Sequence, residues 1–407
     1  MQKFGGTSVD GPERLQAVAR RLVEAHEAGR EVVGVLSAMG KSTDELIALA
    51  HQVSPLPDPR ELDMLLSAGE RISCALAAMA INDLGHEAIS LTGSQAGIVT
   101  DAAHGRAKIL EVRAERIHDA LGRGAIVLVA GFQGVSAQHE VTTLGRGGSD
   151  TTAVALAVVI DAAACEIYTD VEGVFTADPR IVPGARKLAA VSYEEMLELA
   201  AAGARVLMLR SVEFARNHGV RIHVRSSFSH EHGTLVVDRK ELVEQPIISG
   251  IAHDTSEAEV TILSVPDRPG IAARVFRSLA EAGVNVDMIV QNVSAEGRTD
   301  ISFTLPKTDL ARADGVLGPI AEEIGARGLA HDPDIAKISL IGAGMRTHPG
   351  VAADMFEALA ANGINIRIIS TSAIRISCVV PAADVERAVQ AVHDRFRLHE
   401  PALTAES

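Results

Sequence analysis

Residues 142–152 read TTLGRGGSDTT and lead directly into the apolar run 153–160. Glycines permit left-handed turns and a close approach of the backbone to a ligand. The apolar run predicts a buried helix, with Ser149 or Asp150 as its N-cap. A glycine loop before a helix presents unpaired N–H groups and the positive end of the helix dipole, which favour an anion. Arg146 strengthens this interpretation, and an ordinary helix start after a flexible segment is the alternative.

Apolar β-type runs alternate with helical runs on both sides of this loop, through about residue 230. The alternation predicts an α/β fold with a largely parallel sheet and helices on both faces. Ligands of such sheets gather at the carboxyl ends of the strands. The predicted strands are 31–38, 88–91, 125–130, 165–171 and 221–224, and the predicted helices are 12–28, 60–84, 106–121 and 150–162.

An internal repeat begins after about residue 245. Residues 269–286 align without gaps on residues 349–366. Each copy is an amphipathic helix that follows a Pro-Gly pair and joins two predicted strands. The repeat predicts two similar βαββαβ modules of about 70–80 residues, with N–H groups at the helix entrances that suit a small anionic ligand. A duplicated module with a purely structural role is the alternative.

The composition limits the class of function. A chain of 407 residues is expected to form two or three domains. Its formal net charge of −15 argues against a nucleic-acid-binding or anionic-membrane surface. The cysteines Cys74, Cys165 and Cys378 predict no disulfide framework, and the histidines, among them His230 and His232, show no metal-ligand spacing. No apolar run approaches the roughly 20 residues of a membrane span, and no signal peptide is apparent, so we expect a cytoplasmic protein.

A lysine and two glycines stand close together near the N-terminus, in the segment KFGGTS that starts at Lys3. A lysine at a strand end can reach a transferring phosphoryl group, while glycine amides hold the neighbouring phosphate oxygens. A solvated lysine is the alternative. Only Met1 and Gln2 are available to form a strand before it, so either the strand pairing is very short or the given sequence starts late.

Three further segments carry polar groups in informative places. Residues 37–43, SAMGKST, put hydroxyls at a strand end, where a plain turn is the alternative. Glu70 lies in an apolar helical region, where a surface pair with a neighbouring arginine is the alternative. Residues 168–180, YTDVEGVFTADPR, suit a nucleotide, with the ring against the base, Arg180 on phosphate and Asp170 on a polar edge; a simple turn at Asp-Pro is the alternative.

Taken together, KFGGTS, SAMG, SAGER, GFQG, TTLGRGGSDTTA and YTDVEGVFTADPR resemble the motifs of aspartate kinases in the amino-acid kinase superfamily. The repeat resembles their tandem ACT domains. The resemblance spans essentially the whole chain and implies a three-layer α/β/α kinase domain at 1–245, followed by ACT domains at 246–331 and 332–407. The implied activity is that of an ATP:L-aspartate 4-phosphotransferase, at the head of the pathway to lysine, threonine and methionine.

The resemblance also implies roles for individual residues. Lys3 and Asp150 would serve catalysis, Glu70 would pair with the amino group of aspartate, and Arg146 would grip its α-carboxylate. Mg²⁺ would be held mainly by the nucleotide, with no metal site formed by the protein alone. The other substrate-side residues would be Thr43, Gly147, Gly148 and Ser149, and the ATP side would comprise Lys3, Phe4, Gly5, Gly6, Ser37, Thr169, Asp170, Phe175, Arg180 and Arg205.

Three of these positions depart from the family pattern. Phe4 and Phe175 occupy places where relatives often have tyrosine, so a contact from the ring hydroxyl is lost. Arg205 stands where some relatives have lysine, which keeps the charge but changes the geometry.

The regulatory half implies feedback inhibition by lysine, threonine or both. Inhibition would require tighter binding of the effector to an inactive arrangement. A homo-oligomer assembled through the ACT domains is expected, and some relatives add a shorter regulatory subunit from an internal start. The matching residues are Asp267, Pro269, Gly270, Ile271, Ala272, Asn285, Asp287 and Gln291 in the first copy, and His348, Pro349, Gly350, Val351, Asn365 and Ile366 in the second.

Two other functions compete with this interpretation. A kinase of the same fold that acts on glutamate, acetylglutamate, carbamate or UMP is not expected to carry the paired C-terminal repeat. A non-catalytic amino-acid sensor with a decayed kinase half is disfavoured by the joint presence of Lys3, Glu70, Arg146 and Asp150.

Overall fold

The computed structural model of the chain describes residues 1–204, 206–242, 246–292 and 297–400, without the side chains of Arg346 and Thr347. The described residues form two compact units. The first consists of residues 1–175, 187–200 and 206–242, and the second consists of residues 176–186, 201–204, 246–292 and 297–400.

An eight-stranded sheet forms the centre of the first unit, in the order β10-β12-β11-β9-β1-β2-β6-β3. Its strands are β1 Gln2–Phe4, β2 Val33–Leu36, β3 Ala88–Leu91, β6 Ile126–Ala130, β9 Cys165–Thr169, β10 Ala190–Ser192, β11 Ile222–Ser226 and β12 Thr234–Val237. All of these described strand pairs are parallel except that of β11 and β12. The predicted parallel α/β class is therefore confirmed.

Helices cover both faces of this sheet. Consecutive residues of a strand point to opposite faces, so Phe4 faces the core under α1 and α4, whereas Lys3 faces α6. A smaller sheet in the order β5-β4-β7-β8 lies in the same unit. The remaining elements are α1 Pro12–Glu27, α2 Ser42–Val53, α3 Pro59–Leu66, α4 Ala68–Asp83, β4 Ile98–Thr100, β5 Ile109–Val112, α5 Glu115–Leu121, β7 Gln133–Ser136, β8 Val141–Thr143, α6 Gly148–Val159, α7 Tyr193–Ala201 and α8 Leu209–His218.

Several predictions at the level of single elements were wrong. The predicted helix 106–121 is strand β5 followed by the short helix α5, because the backbone of residues 109–112 pairs with β4. The predicted N-cap at Ser149 or Asp150 is displaced: α6 starts at Gly148, and its N-cap is Gly147 in the left-handed region, with φ of 71°. The strand around Lys3 is three residues long, as the few preceding residues required, and it pairs on both sides.

One helical segment contradicts the expectation that no apolar run approaches the length of a membrane span. Helices α3 and α4 meet at Ser67, and together Pro59–Asp83 is long and apolar enough to cross a membrane by length and composition alone. Half of the apolar window within it is buried inside the protein. Residues Cys74, Ala77 and Ile81 of α4 pack in the core beneath the sheet.

The second unit contains two four-stranded antiparallel sheets, in the orders β15-β16-β14-β17 and β13-β18-β20-β19. The internal repeat is visible in the backbone, since Gly270 and Gly350 cap equivalent helices with φ of 97° and 102°. The elements are β13 Gly250–Asp254, β14 Glu257–Pro266, α9 Ile271–Glu281, β15 Ile289–Gln291, β16 Arg298–Pro306, α10 Leu310–Glu323, β17 Gly328–Asp332, β18 Ile335–Ile341, α11 Val351–Ala361, β19 Ile368–Thr371, β20 Arg375–Pro381 and α12 Val385–Arg395.

The second module borrows a strand from an earlier part of the chain. Strand β13 precedes the first module in sequence but pairs antiparallel with β18, in the sheet of the second module. The first module follows the predicted βαββαβ order and ends in β17, which pairs with β14. In the second module no described strand follows α12, and β13 pairs with β18 in the equivalent place. The side chain of Lys337, 1% exposed, joins the modules through ion pairs with Glu257 at 2.7 Å and with Asp287.

Candidate active site

The carboxyl ends of β9, β1, β2 and β6 lie side by side, because these strands are adjacent and parallel. Backbone hydrogen bonds hold the loops that follow them together. The N–H of Gly5 donates to Tyr168 O at 3.3 Å, that of Ser37 to Phe4 O at 3.1 Å, and that of Gly131 to Leu36 O at 3.0 Å. The motifs KFGGTS, SAMG and GFQG, which are distant in sequence, therefore meet at one edge of the sheet.

The loops after β1 and β2 are packed too closely for side chains. A Cβ atom on Gly6 would lie 3.0 Å from Ala38 O, and one on Gly69 of α4 would lie 2.7 Å from the Cβ atom of Ala38. The N–H of Gly40 donates to Gly6 O at 3.0 Å. Gly6 approaches the backbone of Ala38, and Gly69 approaches the Ala38 side chain, so a larger residue at either position would push these segments apart.

Lys3 and Asp150 form a largely buried ion pair. Lys3 Nζ lies 2.5 Å from Asp150 Oδ1, and the two side chains are 11% and 9% exposed. Gly5 borders the lysine, since a Cβ atom there would lie 3.5 Å from Nζ. The pairing of strand β1 and the start of α6 thus place a cation, a carboxylate and a glycine at one point.

The glycine loop presents Arg146 at its tip. Gly145 and Gly147 flank it with φ of 77° and 71°, and the Arg146 side chain is exposed. Arg146 forms no ion pair with any residue that the structure describes. A Cβ atom on Gly147 would lie 1.9 Å from Met208 Cγ, so this position excludes a side chain both by conformation and by contact. Behind the loop, Ser149 packs against the backbone of Gly131.

Sequence reasoning missed Asp63, which anchors this loop from α3. Its side chain is 1% exposed. It accepts hydrogen bonds from Thr143 Oγ1 at 2.5 Å, from the Thr143 N–H at 3.1 Å, from the Gly105 N–H at 3.1 Å and from His104 Nδ1 at 2.8 Å. A buried carboxylate that receives this many donors is fixed in place. Its position in the apolar run LDMLL was the one available signal, since a buried acid needs such partners.

Glu70 is another buried carboxylate, and unlike Asp63 it has one oxygen atom without a hydrogen-bond partner among the described atoms. Its side chain lies in the first turn of α4, 3% exposed, and accepts from its own N–H and from that of Ala38. Its Oε2 atom is buried without a hydrogen-bond partner among the described atoms. Burial raises the pKa of Glu70 to about 7, and the two hydrogen bonds offset only part of that effect. Arg71 donates instead to Gln133, so Glu70 forms no surface pair with it.

Other predicted residues lie at the same edge with less distinctive surroundings. Thr43 lies half-buried in the first turn of α2, directly after the SAMG loop. Thr169 ends β9, and its hydroxyl donates to the exposed Asp170 at 3.1 Å. Phe175 is half-buried, and its backbone bridges to Lys187.

Three other residues were predicted on the ATP side. The Phe4 side chain is 1% exposed and stacks on Tyr168 at 4.7 Å between ring centroids, so it belongs to the core and only its backbone faces the site. Arg180 belongs to the second unit, where it forms an ion pair with Asp178 at 2.6 Å. Arg205 lies outside the described residues.

The predicted effector residues lie at the helix entrances of the two modules and in the segments that follow those helices. In the second module a cavity of about 440 Å³ is lined by His348, Pro349, Gly350 and Val351, together with residues 371–373. In the first module Asp267, Pro269, Gly270, Asn285 and Gln291 are exposed, Ala272 is half-buried and Ile271 is 8% exposed. Asp287 is already paired with Lys337, and Asn365 and Ile366 do not line the cavity.

Comparisons with known proteins agree with this architecture. Residues 2–226 match the amino acid kinase family, and residues 260–317 and 338–396 match the ACT domain. The chain is 58% identical to the aspartokinase of Mycolicibacterium smegmatis over 403 residues, which cover 98% of this chain and 96% of that protein. The chain belongs to the aspartokinase family. Its activity is therefore the ATP-dependent phosphorylation of the side-chain carboxylate of L-aspartate, and the resemblance noted in the sequence is confirmed.

Solved structures of this family have the same fold. E. coli aspartokinase III in complex with aspartate and ADP, in the R-state, aligns with a TM-score of 0.80 and 25% identity over 97% of this aspartokinase and 98% of that chain. The complex of the same E. coli enzyme with lysine and aspartate, in the T-state, aligns with a TM-score of 0.75 and 25% identity over the same shares of the two chains. A kinase domain followed by two ACT domains, and the use of a nucleotide, are supported by these matches.

Proposed function

We propose that Glu70 and Arg146 recognise the two ends of aspartate's amino-acid group in this aspartokinase. The observation that carries the proposal is the buried, unpartnered Oε2 of Glu70. An unpaired carboxylate in a buried position is costly unless a cation enters to pair with it. The ammonium group of aspartate is such a cation. Arg146, exposed and unpaired among the described residues, offers a planar guanidinium for the α-carboxylate.

Lys3 acts on the phosphoryl group in this proposal. Its ammonium lies beside Gly5, whose neighbouring backbone amides suit phosphate oxygens, and Asp150 fixes its position through the 2.5 Å ion pair. The acceptor and the donor are both anionic, so positive charge at the point of transfer lowers the barrier. Thr43 and Ser149 complete the aspartate side, while Ser37, Thr169, Asp170 and Phe175 line the nucleotide side.

Mg²⁺ enters with the nucleotide. The Asp150 carboxylate is engaged by Lys3, whereas the exposed Asp170 forms no ion pair with any residue that the structure describes. This edge of the sheet therefore suits an ion that is held mainly by phosphate oxygens of the nucleotide, with Asp170 as an available protein carboxylate. When bound, Mg²⁺ offsets negative charge on the transferring group.

The decisive assay for the reaction is acyl-phosphate formation. Hydroxylamine traps 4-phosphoaspartate as the hydroxamate, and its formation should require ATP, Mg²⁺ and aspartate together. Glutamate and N-acetylglutamate serve as comparison acceptors. Glutamate has a longer side chain than aspartate, and N-acetylglutamate in addition lacks the ammonium group. Glu70→Gln should raise the KM for aspartate far more than the KM for ATP. An equal effect on both KM values would contradict the assigned role of Glu70.

Regulation is proposed at the helix entrances of the ACT modules. The cavity of about 440 Å³ has the size for a free amino acid, and the Pro-Gly helix entrance beside it suits a carboxylate. The lysine complex of E. coli aspartokinase III supports lysine as an effector, with threonine as the second candidate. Titration calorimetry with each amino acid, alone and paired, tests this. We expect Asp267→Ala to relieve inhibition and keep the saturated turnover, whereas unchanged inhibition curves would contradict the assignment.

Assembly through the ACT modules completes the proposal. Edge strands β15 and β19 expose Ile289 and Ile369, which are 49% and 44% exposed, and the unpaired edges can pair with another copy. A homo-oligomer in the cytoplasm is the proposed form, with a shorter regulatory subunit as a further option. Sedimentation of the full chain with and without effector measures its state.

A further inference from the structure

His393 is a buried histidine in which one ring nitrogen forms a hydrogen bond and the other has no hydrogen-bond partner among the described atoms. It lies in the last turn of α12 and is 0% exposed. Its Nε2 atom lies 3.1 Å from Thr176 Oγ1, which also accepts the Arg186 N–H at 2.9 Å. Its Nδ1 atom is buried without a hydrogen-bond partner among the described atoms.

The bond to Thr176 is compatible with the tautomer that a metal ligand needs. When Nε2 carries the proton of the neutral ring and donates it to Thr176 Oγ1, Nδ1 keeps a lone pair. This is the arrangement in which a histidine binds a metal ion, because a hydrogen bond at one nitrogen orients the other as the ligand.

Two more donor groups converge beside His393. Ligand atoms of His393, Asp394 and His399 all lie within 4.8 Å of one another. The chain after α12 turns back to bring them together: the Arg397 N–H donates to Asp394 O at 3.1 Å, and the Leu398 N–H donates to His393 O at 3.2 Å. The rings of His393 and His399 lie 6.2 Å apart between centroids.

We propose that His393 Nδ1, the Asp394 carboxylate and a ring nitrogen of His399 bind a divalent transition-metal ion such as Zn²⁺. Two imidazoles and one carboxylate form a ligand set that this class of ion accepts, with water in the fourth position. Bonds of about 2.0–2.2 Å in tetrahedral geometry place ligand atoms roughly 3.4 Å apart. The exposed Asp394 and the His399 side chain, 48% exposed, can rotate to close that difference.

The ion would join residues before and after the turn that follows α12, in a region that already contacts residues 176–186 of the same unit. Arg186 Nε donates to Glu400 O at 3.2 Å, and Thr176 is the partner of His393, so residues 176–186 already contact the tail. A bound ion would fix residues 393–399 around His393. Metal binding should therefore raise the melting temperature of the full chain.

The test uses untagged, full-length protein that has been treated with chelator and assayed without Mg²⁺. We expect one Zn²⁺ per chain by equilibrium dialysis, and visible d–d bands when Co²⁺ replaces it. His399→Ala and Asp394→Asn should each weaken binding about tenfold or more and remove the rise in melting temperature. His51→Ala, which removes an exposed histidine from α2, is the matched control and should bind normally.

The side chains of Asp394 and His399 are on the surface, so Asp394→Asn and His399→Ala should both fold, which circular dichroism and, after Mg²⁺ is restored, unchanged kinase turnover would verify. The proposal would be overturned if less than one Zn²⁺ bound per chain, or if His399→Ala and Asp394→Asn bound Zn²⁺ with the same affinity as His51→Ala.

Discussion

The protonation state of Glu70 should control the affinity for aspartate near neutral pH. Its side chain is 3% exposed, and burial raises its pKa to about 7 from the ordinary value of 4.5. Only the ionised carboxylate can pair with the ammonium of aspartate. Since the pKa of an acid is raised, the binding form is lost as the pH falls through 7, rather than near 4.5.

The size of the effect follows from the titration of one group. With a pKa of about 7, about nine-tenths of Glu70 is ionised at pH 8 and about one-tenth at pH 6. We therefore expect kcat/KM for aspartate to fall roughly tenfold between pH 8 and pH 6, with a logarithmic slope that approaches one only below the pKa. A carboxyl with the ordinary pKa would remain ionised over this range and produce no change.

Initial rates of ADP release, at saturating ATP and Mg²⁺ and varied aspartate, measure this dependence. Neither carboxylate of aspartate nor its amino group titrates between pH 6 and pH 8. Glu70→Gln is the control: its kcat/KM should be low and flat over the same range, and any residual slope belongs to other groups. A flat profile in the wild type, or the same tenfold fall in Glu70→Gln, would refute the reasoning.

The same residue links pH to stability. Between pH 4.5 and pH 7 the folded protein holds a proton on Glu70 that the unfolded chain releases, so this group lowers stability as the pH rises. The difference in pKa corresponds to about 3 kcal/mol, reached above pH 7. Glu70→Gln should therefore melt at a higher temperature than the wild type at pH 8, by an amount that shrinks towards pH 5. A lower melting temperature at pH 8 would contradict the absence of a partner for Oε2.

Three further substitutions test the geometry of the edge. Gly147→Ala should destabilise the protein by about 2 kcal/mol or more in chemical denaturation, because alanine meets both a φ of 71° and Met208; unchanged stability would show that the loop relaxes freely. Asp63→Asn should raise the KM for aspartate with a smaller effect on kcat, since an amide cannot accept from all the donors around it, at a cost of about 1–3 kcal/mol; an unchanged KM would remove Asp63 as a positioning residue. Lys3→Ala should lower kcat by roughly two to four orders of magnitude in the hydroxamate assay, and a near-normal kcat would count against its role at the phosphoryl group.

The parallel sheet and the repeat could be predicted because both depend on local patterns. Apolar runs such as 88–91 and 126–130 alternate with amphipathic runs, and the gapless repeat of residues 269–286 carries its own periodicity. The strand at residues 109–112 could not be predicted in this way. Its pairing with β4 fixes it as a strand, and that contact depends on the fold around it rather than on its own sequence.

Non-local contacts also explain the missed parts of the site. The motif TTLGRGGSDTT signalled an anion site, but only the structure gives the reason for Gly147, which is the contact with Met208. Asp63 is separated from Thr143 by 80 residues, and no local spacing relates them. Strand β13, at residues 250–254, joins a sheet whose other strands begin at residue 335. A division of the chain into consecutive domains therefore could not predict this pairing.

The charges at the edge distinguish an amino-acid acceptor from other acceptors of this fold. Lys3 and Asp150 neutralise each other at 2.5 Å, so they add little net charge for recognition. Among the described residues, the Oε2 atom of Glu70 has no hydrogen-bond partner and the Arg146 cation forms no ion pair. A zwitterion satisfies both, whereas carbamate, UMP or an N-acetylated amino acid would bring no ammonium and would leave Glu70 buried with an unpaired charge. The structure therefore disfavours those acceptors through the desolvation of a single carboxylate.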